Sequence, residues 1–468
     1  MVWWFRKKQD TLKAVKPAAR IVRARFDAAQ TTAENARHWA NADSLSADGA
    51  MNVEVRRKLR ERSRYEVANN SYAKGIILTI ANDCIGTGPR LQLLTDSPEI
   101  NRMVESEFSR WTDSINLAEK LRTMRMSKAS DGESFGMLTA NMQVRSPVKL
   151  DLRIIEADRV ATPMLALPGP SSVDGIEFDS FGNPSSYCLL RNHPGDLGSF
   201  SSDYDVVGAH AMVHWFRMDR PGQHRGIPEI TAALPLFAQL RRYTLAVLAA
   251  AETAADFAAV LYTDSPANGE AAAIEPMDIV GLEKRMATVL PDGWKLGQID
   301  ARQPATTYAE FKREILNEIA RCLNIPLNIA MCNSSGYNYA SGRLDHQTYY
   351  KSIRVEQAHL GEVVLDRIFE AWVYEAQLLT QFAFMRRLAY LPRQWFFDGV
   401  EHVDPAKEAN AQATRLTSNT TTLAAEYARQ GKDWEVELRQ RSKEKKLMAE
   451  LGLLPTTTKE KNNVKQFA

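Results

Sequence analysis

The stretch Arg220-Pro221-Gly222-Gln223-His224-Arg225-Gly226-Ile227-Pro228 divides two textures of sequence. Before it, residues 134–218 alternate short β-prone runs at 150–155, 187–190 and 211–216 with turns such as Phe181-Gly182-Asn183-Pro184. That is the pattern of strands joined by tight loops. After it, residues 228–261 read as one long helix, with Pro235 expected to kink its first part. At 1.5 Å per residue such a helix would span about 50 Å. Eight of the fourteen residues 246–259 are alanine. So small a surface lets other helices approach closely on both sides, either within one core or from neighbouring copies of the chain.

Upstream, residues 28–82 read as helical in pieces, and 51–81 carries a charged block from Arg56 to Arg64. Gly86-Thr87-Gly88-Pro89 ends that region. A second helix is predicted over 97–130, because Ile100, Val104, Phe108, Trp111 and Ile115 recur every three or four residues. Asp131-Gly132-Glu133 reads as a turn. Downstream, 262–307 is irregular and polar. A shorter helix is predicted at 307–323, stopped by Pro326, then a polar, aromatic loop at 332–342 and a helical region over 344–391. Residues 404–452 read as two or three small helices, with starts at Asp404-Pro405 and Asp433 and a C-cap at Gly431. The predicted class is α+β, mainly helical, with one β-rich region.

The chain has 468 residues, 44% hydrophobic and 25% charged, which fits a globular protein with two or three cores. Its net charge of +2 argues against coating nucleic acid by bulk attraction. The charge is uneven: Arg6, Lys7, Lys8, Lys13, Lys16, Arg20, Arg23 and Arg25 face only Asp10 within residues 1–26. This basic arm is either solvated or in contact with DNA or an acidic neighbour. Cys84, Cys188, Cys322 and Cys332 show neither C-x-x-C nor zinc spacing and read as reduced thiols. Val2-Trp3-Trp4-Phe5 is followed at once by Arg6-Lys7-Lys8, unlike a signal peptide. No apolar run reaches membrane-spanning length.

Catalytic signatures are missing from the sequence: there is no G-x-S-x-G, no P-loop and no H-E-x-x-H. His193, His210, His214 and His224 are not spaced to share a helix face and read as structural or surface histidines. Asp151, Glu156 and Asp158 lie along a strand-like run, with Glu156 and Asp158 on one face. A metal-dependent nuclease could be built there, but no third ligand or lysine motif supports it. No catalytic residue, metal or cofactor is therefore expected, and a structural or mechanical role is favoured.

Several strings, in order, resemble the lambda-type family of phage portal proteins: Ala24-Arg25-Phe26-Asp27-Ala28-Ala29, Arg62-Ser63-Arg64-Tyr65-Glu66, Asn69-Asn70, Gly86-Thr87-Gly88, and Asp131-Gly132-Glu133-Ser134-Phe135. They continue with Ile155-Glu156-Ala157-Asp158-Arg159-Val160, Gly175-Ile176-Glu177-Phe178-Asp179 and His214-Trp215-Phe216. The opening stretch at 220–228 and Tyr337-Asn338-Tyr339-Ala340-Ser341-Gly342-Arg343 are the most specific. Val403-Asp404-Pro405-Ala406-Lys407-Glu408 closes the series. One departure is Met331-Cys332-Asn333-Ser334-Ser335, which lacks the acidic residue expected before the Asn-Tyr block.

The resemblance implies a ring of subunits, usually twelve, around a central channel at one capsid vertex. Double-stranded DNA passes through such a channel without sequence specificity. The implied division is a basic arm at 1–26, a wing at 27–227 with its β-rich part at 134–218, and a first stem helix at 228–261. A clip follows at 262–306, then a second stem helix at 307–323, a tunnel loop at 324–343, and a wing helix and return at 344–403. A crown at 404–454 and a flexible tail at 455–468 complete it. The implied partners are the terminase large subunit on the clip, head–tail connector or adaptor proteins that later replace it, and the major capsid protein. No membrane is involved; the protein is made in the bacterial host cytoplasm and ends in the virion. The implied channel-facing residues are Asn333, Ser334, Ser335, Tyr337, Asn338, Tyr339, Ser341 and Arg343. Two other readings stay open: a minor capsid or adaptor scaffold without a channel, and the nuclease.

Overall fold

Polar caps cut the expected helical stretches into shorter pieces. The computed structural model describes residues 32–163, 169, 171–196, 203–256, 260–263, 294–297, 305–387, 391–399 and 405–453. The basic arm 1–26, the tail 455–468 and most of 262–306 lie outside the described residues. A short turn, α1 (Ala47–Ala50), precedes α2 (Val53–Asn69) and α3 (Ser71–Ile85). The Asn70 side chain accepts from the amides of Tyr72 and Ala73, at 3.0 and 3.4 Å, so one helix ends where the next is capped. After β1 (Arg90–Leu93), the single helix expected over 97–130 is two, α4 (Pro98–Ser114) and α5 (Leu117–Asp131). The break falls at Asn116, which adopts the left-handed conformation at φ 52°.

Strands β2 (Glu133–Ala140) and β3 (Leu150–Ile155) follow, then β4 (Ser172–Val173), β5 (Ile176–Phe178), β6 (Pro184–Leu190), β7 (Tyr204–Gly208) and β8 (Met212–Phe216). They form two antiparallel sheets, ordered β3-β2-β8 and β4-β5-β6-β7. The long helix is α6 (Leu234–Asp256). Pro235 falls in its first turn. As the second helical residue it occupies a position whose amide has no intrahelical acceptor, so the ring costs no hydrogen bond. A two-stranded ladder of β9 (Val260–Thr263) and β10 (Trp294–Gly297) joins the two ends of the irregular segment. Then come α7 (Ala305–Cys322), α8 (Leu327–Ala330), α9 (Tyr339–Leu360), α10 (Asp366–Ala376) and β11 (Arg393–Phe396), which pairs with β1. A π-helical bulge at 361–365 links α9 to α10. The chain closes with α11 (Pro405–Thr417), α12 (Leu423–Arg429) and α13 (Trp434–Glu450).

Three hydrophobic clusters hold these elements. The largest sets Phe108 and Trp111 of α4 against Phe369 and Trp372 of α10; Phe108 meets both partner rings edge-on at 5.4 Å. The buried Trp111 indole N–H donates to the Leu150 carbonyl at 2.9 Å. A second cluster joins α3, the base of α6, α7 and α9 through Ile76, Phe237, Leu316, Ile319 and Ile353. The third lies between the two sheets, around Phe135, Ile176 and Tyr187.

The C-terminal helices meet the rest at close backbone contacts. A Cβ on Gly399 would lie 2.5 Å from the Gln430 carbonyl carbon, and one on Gly431 would lie 2.4 Å from the Phe397 oxygen. Beside this joint, Gln92 donates to Asp433, the N-cap of α13, and Glu105 accepts from the Leu93 amide at 2.6 Å. Burial pushes the Glu105 carboxyl up to about 7 against that bond, and the carboxylates of Asp433 and Glu435 add to the rise. From the ordinary value near 4.5 up to about 7, the unfolded chain has lost this proton and the folded chain keeps it. Stability therefore falls as pH rises through that window. Glu105→Gln is expected to lose less stability than the parent between pH 5 and 8 in urea titrations. Parallel pH profiles for the two proteins would refute this.

Candidate functional site

The uncharged loop after α8 is built by its own side chains. The Asn333 amide donates to the Asn328 carbonyl at 2.9 Å, and the Ser335 amide donates to Asn333 Oδ1 at 2.9 Å. Gly336 takes φ +87°. Asn338 caps α9, accepting from the Ser341 amide at 2.8 Å. The helix therefore starts at Tyr339, earlier than expected, because Asn338 is a strong N-cap. Of the expected loop residues, Asn333, Ser334, Ser335, Tyr337 and Asn338 lie in the loop. Tyr339, Ser341 and Arg343 lie in the first turns of α9. Asn333, Ser334, Ser335, Asn338 and Arg343 are exposed, and Tyr337 is half-buried.

The helix that follows the loop is held by a buried charge cluster on α5. Arg125 donates two bonds to Glu229 Oε2, each 3.0 Å, and its Nε lies 3.6 Å from Glu356 Oε1. Lys128, fully buried, bonds Glu356 and lies 3.6 Å from Glu229 Oε1, with its ammonium 5.0 Å from the Trp215 ring centre. Glu229 lies just before α6, and Glu356 is in α9 beyond the loop. Two cations of one helix thus tie the chain entering α6 to the last turns of α9.

A second buried cluster gathers five of the sequence strings. Arg225 bonds Glu133 through Nη2 at 2.7 Å and through Nε at 2.9 and 3.0 Å. Its Nη1 donates to the Val160 carbonyl at 3.0 Å and to Asp174 Oδ2 at 3.2 Å. Arg56 reaches Asp174 at 2.5 Å, and Arg60 reaches Glu133 at 3.3 Å and Asp158 at 3.4 Å. Arg64 pairs with Asp131 at 2.8 Å and Asp158 at 2.6 Å. Four guanidinium groups thus face four carboxylates, so the cluster is neutral overall, and each buried charge has a partner. Burial alone would raise the Glu133 pKa. The charge of Arg225 and the bonds from His214 and Arg225 outweigh it and hold Glu133 well below the usual carboxylate range. His214 is pushed down chiefly by burial; its Nε2 sits 3.0 Å from Glu133 Oε2, and its ring stacks on Phe135 at 4.3 Å.

Glycine lets the strands of this cluster meet. Gly132 has φ +93°, and a Cβ there would fall 2.2 Å from the Ile227 carbonyl carbon. A Cβ on Gly226 would fall 2.1 Å from the Gly132 oxygen. The strings at 131–135, 155–160, 214–216 and 220–228, with Arg64 of 62–66, thus converge on one junction between helices and sheets.

Of the carboxylates considered for a nuclease, Glu156 and Asp158 both approach His193 Nε2, at 3.4 and 3.7 Å, and Asp151 is engaged elsewhere. Asp151 bonds Lys120 and Asn141, and Asp158 pairs with Arg60 and Arg64. The strand ends at Ile155, so Glu156 and Asp158 do not stand on one strand face as expected. No group of three or more His, Cys, Asp or Glu among the described residues could hold a metal. His224 faces Asp48 at 2.6 Å.

The family model for phage portal proteins of the lambda family matches residues 32–357. The chain belongs to that family. The probable portal protein of Halomonas phage phiHAP-1 is 26% identical over 406 residues, covering 80% of this portal protein and 77% of the relative. The neck of an empty gene transfer agent particle, computed with C6 symmetry, is similar in fold: TM-score 0.50 at 14% identity, covering 85% of this chain and 94% of that one. The neck of the native particle gives a TM-score of 0.49 at 13% identity, over 78% and 90% of the two chains. The buried junction around Arg225 is thus a feature of a portal protein, and the family match spans every residue in it.

Proposed function

We propose that this portal protein is one subunit of a ring whose central channel passes double-stranded DNA during packaging and ejection. The carrying observation is the α6–α7 pair. The two helices pack through Tyr243, Tyr308 and Phe311, with Tyr243 and Phe311 centred 4.4 Å apart, while each keeps an exposed outward face. That of α6 presents Arg242, Leu245 and Leu248, beside Arg241, which bonds the Tyr65 hydroxyl at 3.2 Å, and that of α7 presents Glu310, Glu314 and Glu318, four residues apart. A basic patch on one helix and an acidic patch on the other suit a head-to-tail contact that closes into a ring. In this reading α6 and α7 are the stem, the ladder-closed segment between them is the clip that docks the terminase and later the connector proteins, and α11–α13 are the crown.

The loop 331–338 is the channel constriction in this reading. Strong phosphate binding would stall a moving duplex, since each neutralised phosphate releases counterions and holds the strand. Hydroxyls and amides touch phosphates without reading sequence and without a charge to hold them. The chain then acts mechanically, without a reaction of its own. Negative-stain images of purified protein test the ring: particles with a central hole are expected, and single chains at every concentration would overturn the reading. Replacing Tyr337 and Tyr339 together by alanine is expected to leave rings intact and to lower DNA packaging or retention. Normal packaging would take the loop out of the channel.

A further inference from the structure

The segment Arg439-Gln440-Arg441-Ser442-Lys443-Glu444-Lys445-Lys446 in α13 places five cations and one acid in eight residues, all exposed. No residue of α13 is buried. A surface helix ordinarily keeps an apolar stripe against a core; among the described residues α13 is held at its N-terminal end, by Asp433 and by α12. Two ordinary accounts of its charges do not fit. A helix stabilised by its own ion pairs would match each cation with an acid. Here only Arg439 is matched, to Glu435 at 3.6 Å, and no ion pair links Arg441, Lys443, Lys445 or Lys446 to a carboxylate among the described residues. A helix whose charges complement its macrodipole would carry its bases in the last turn. The last turn of α13 carries none and ends in Glu450.

We propose that α13 is a further DNA-contacting element of this chain, holding duplex DNA by its phosphates through Arg439, Arg441, Lys443, Lys445 and Lys446. The proposal rests on the reading of the chain as a DNA conduit. Arg439, Lys443 and Lys446 run along one side of the helix at steps of four and three, and Arg441 and Lys445 run along another. The row spans about 10 Å at 1.5 Å per residue, a length over which a duplex presents about six phosphate charges. The charge density of the helix therefore approaches that of its partner. An anionic membrane is the weaker fit. Exposed Val436, Leu447 and Leu451 share a side of α13, but Gln440 and Glu444 interrupt it, whereas a membrane-surface helix needs a continuous apolar face.

The test compares the full-length protein with the variant R441Q/K443Q/K445Q/K446Q, using a short random-sequence duplex and fluorescence anisotropy over roughly 50 to 200 mM salt. Each lost phosphate contact lowers the slope of log affinity against log salt by about 0.9, so a fall of about 3 to 4 and at least a tenfold loss of affinity are expected. An unchanged slope overturns the proposal. So does a variant that keeps its DNA affinity but loses binding to phosphatidylglycerol vesicles. The double variant K443Q/K446Q, expected to lower the slope by about 2, gives the same reading should the quadruple variant fold poorly. Rings with an unchanged slope refute the α13 contact alone. A wild-type chain that forms no rings refutes the conduit, and the slope still reads the contact.

Discussion

Replacing Arg225 by methionine is expected to destabilise the protein by about 3–5 kcal/mol, because it leaves a buried carboxylate without its principal partner. A typical domain is stable by only about 5–15 kcal/mol, so this is a large fraction of the whole. Arg225 and Glu133 are both fully buried. With Arg225 gone, the remaining cation on Glu133 among the described residues is Arg60, at 3.3 Å. His214 Nε2 already lies 3.0 Å from Glu133, and burial disfavours its charged form. Val160 and Asp174 also lose a donor at 3.0 and 3.2 Å. Lysine is expected to recover little, because one ammonium cannot span the positions that a planar fork reaches together. The measurement is the urea midpoint of R225M, R225K, E133M and R225M/E133M. If the pair acts as a unit, the double variant costs less than the two single costs combined, by about 1–3 kcal/mol. Costs that add to within about 0.5 kcal/mol would remove the junction as a coupled unit. The pH dependence has a definite sign. Glu133 is held below its ordinary value in the folded state, so its contribution is present above about pH 4.5 and is lost as pH falls further.

The helical and β-rich territories were legible because periodicity and turn residues report local structure directly. The stretch at 220–228 did mark the passage from sheet to long helix. Its residue identities have a different cause, which no local rule contains. Arg225 is needed by a glutamate 92 positions away, and Gly226 by the backbone at Gly132. Within the charged block at 56–64, Arg56 and Arg60 are buried. Their spacing was the available signal: Arg56, Arg60 and Arg64 recur every four residues, which places them on one side of α2. Lys128 and Glu356 gave no such sign, since a buried lysine is recognisable only once its acid is in place. In the loop, the residues forming it were legible and its end was not. The capping role of Asn338 moved Tyr339, Ser341 and Arg343 onto α9.

Reversing the charge on one outward face of the α6–α7 pair is expected to abolish ring assembly, and combining the two reversals is expected to restore it. In the proposed ring the α6 face of one subunit meets the α7 face of the next, so every interface contains one basic and one acidic face. Exposed ion pairs are each worth only about 0.2–1 kcal/mol. Turning two attractive pairs into repulsive ones therefore shifts each interface by about 1–3 kcal/mol, or roughly ten- to a hundredfold in its association constant. A closed ring repeats this loss at every interface, so a modest local change becomes a complete one. R241E/R242E gives a chain with two acidic faces, and E314K/E318K gives a chain with two basic faces. Neither can follow itself around a ring, but the two can alternate. Arg241 also touches Tyr65, bonding its hydroxyl at 3.2 Å, so the single variant R242E serves as the control that leaves this contact intact. Sedimentation and negative-stain imaging should show subunits for each variant alone, and rings both for their equimolar mixture and for the fourfold variant R241E/R242E/E314K/E318K. Rings formed by either double variant alone would place the subunit contact on other faces. Restoration by mixing is the decisive result, because loss of folding in either chain could not be repaired by the other.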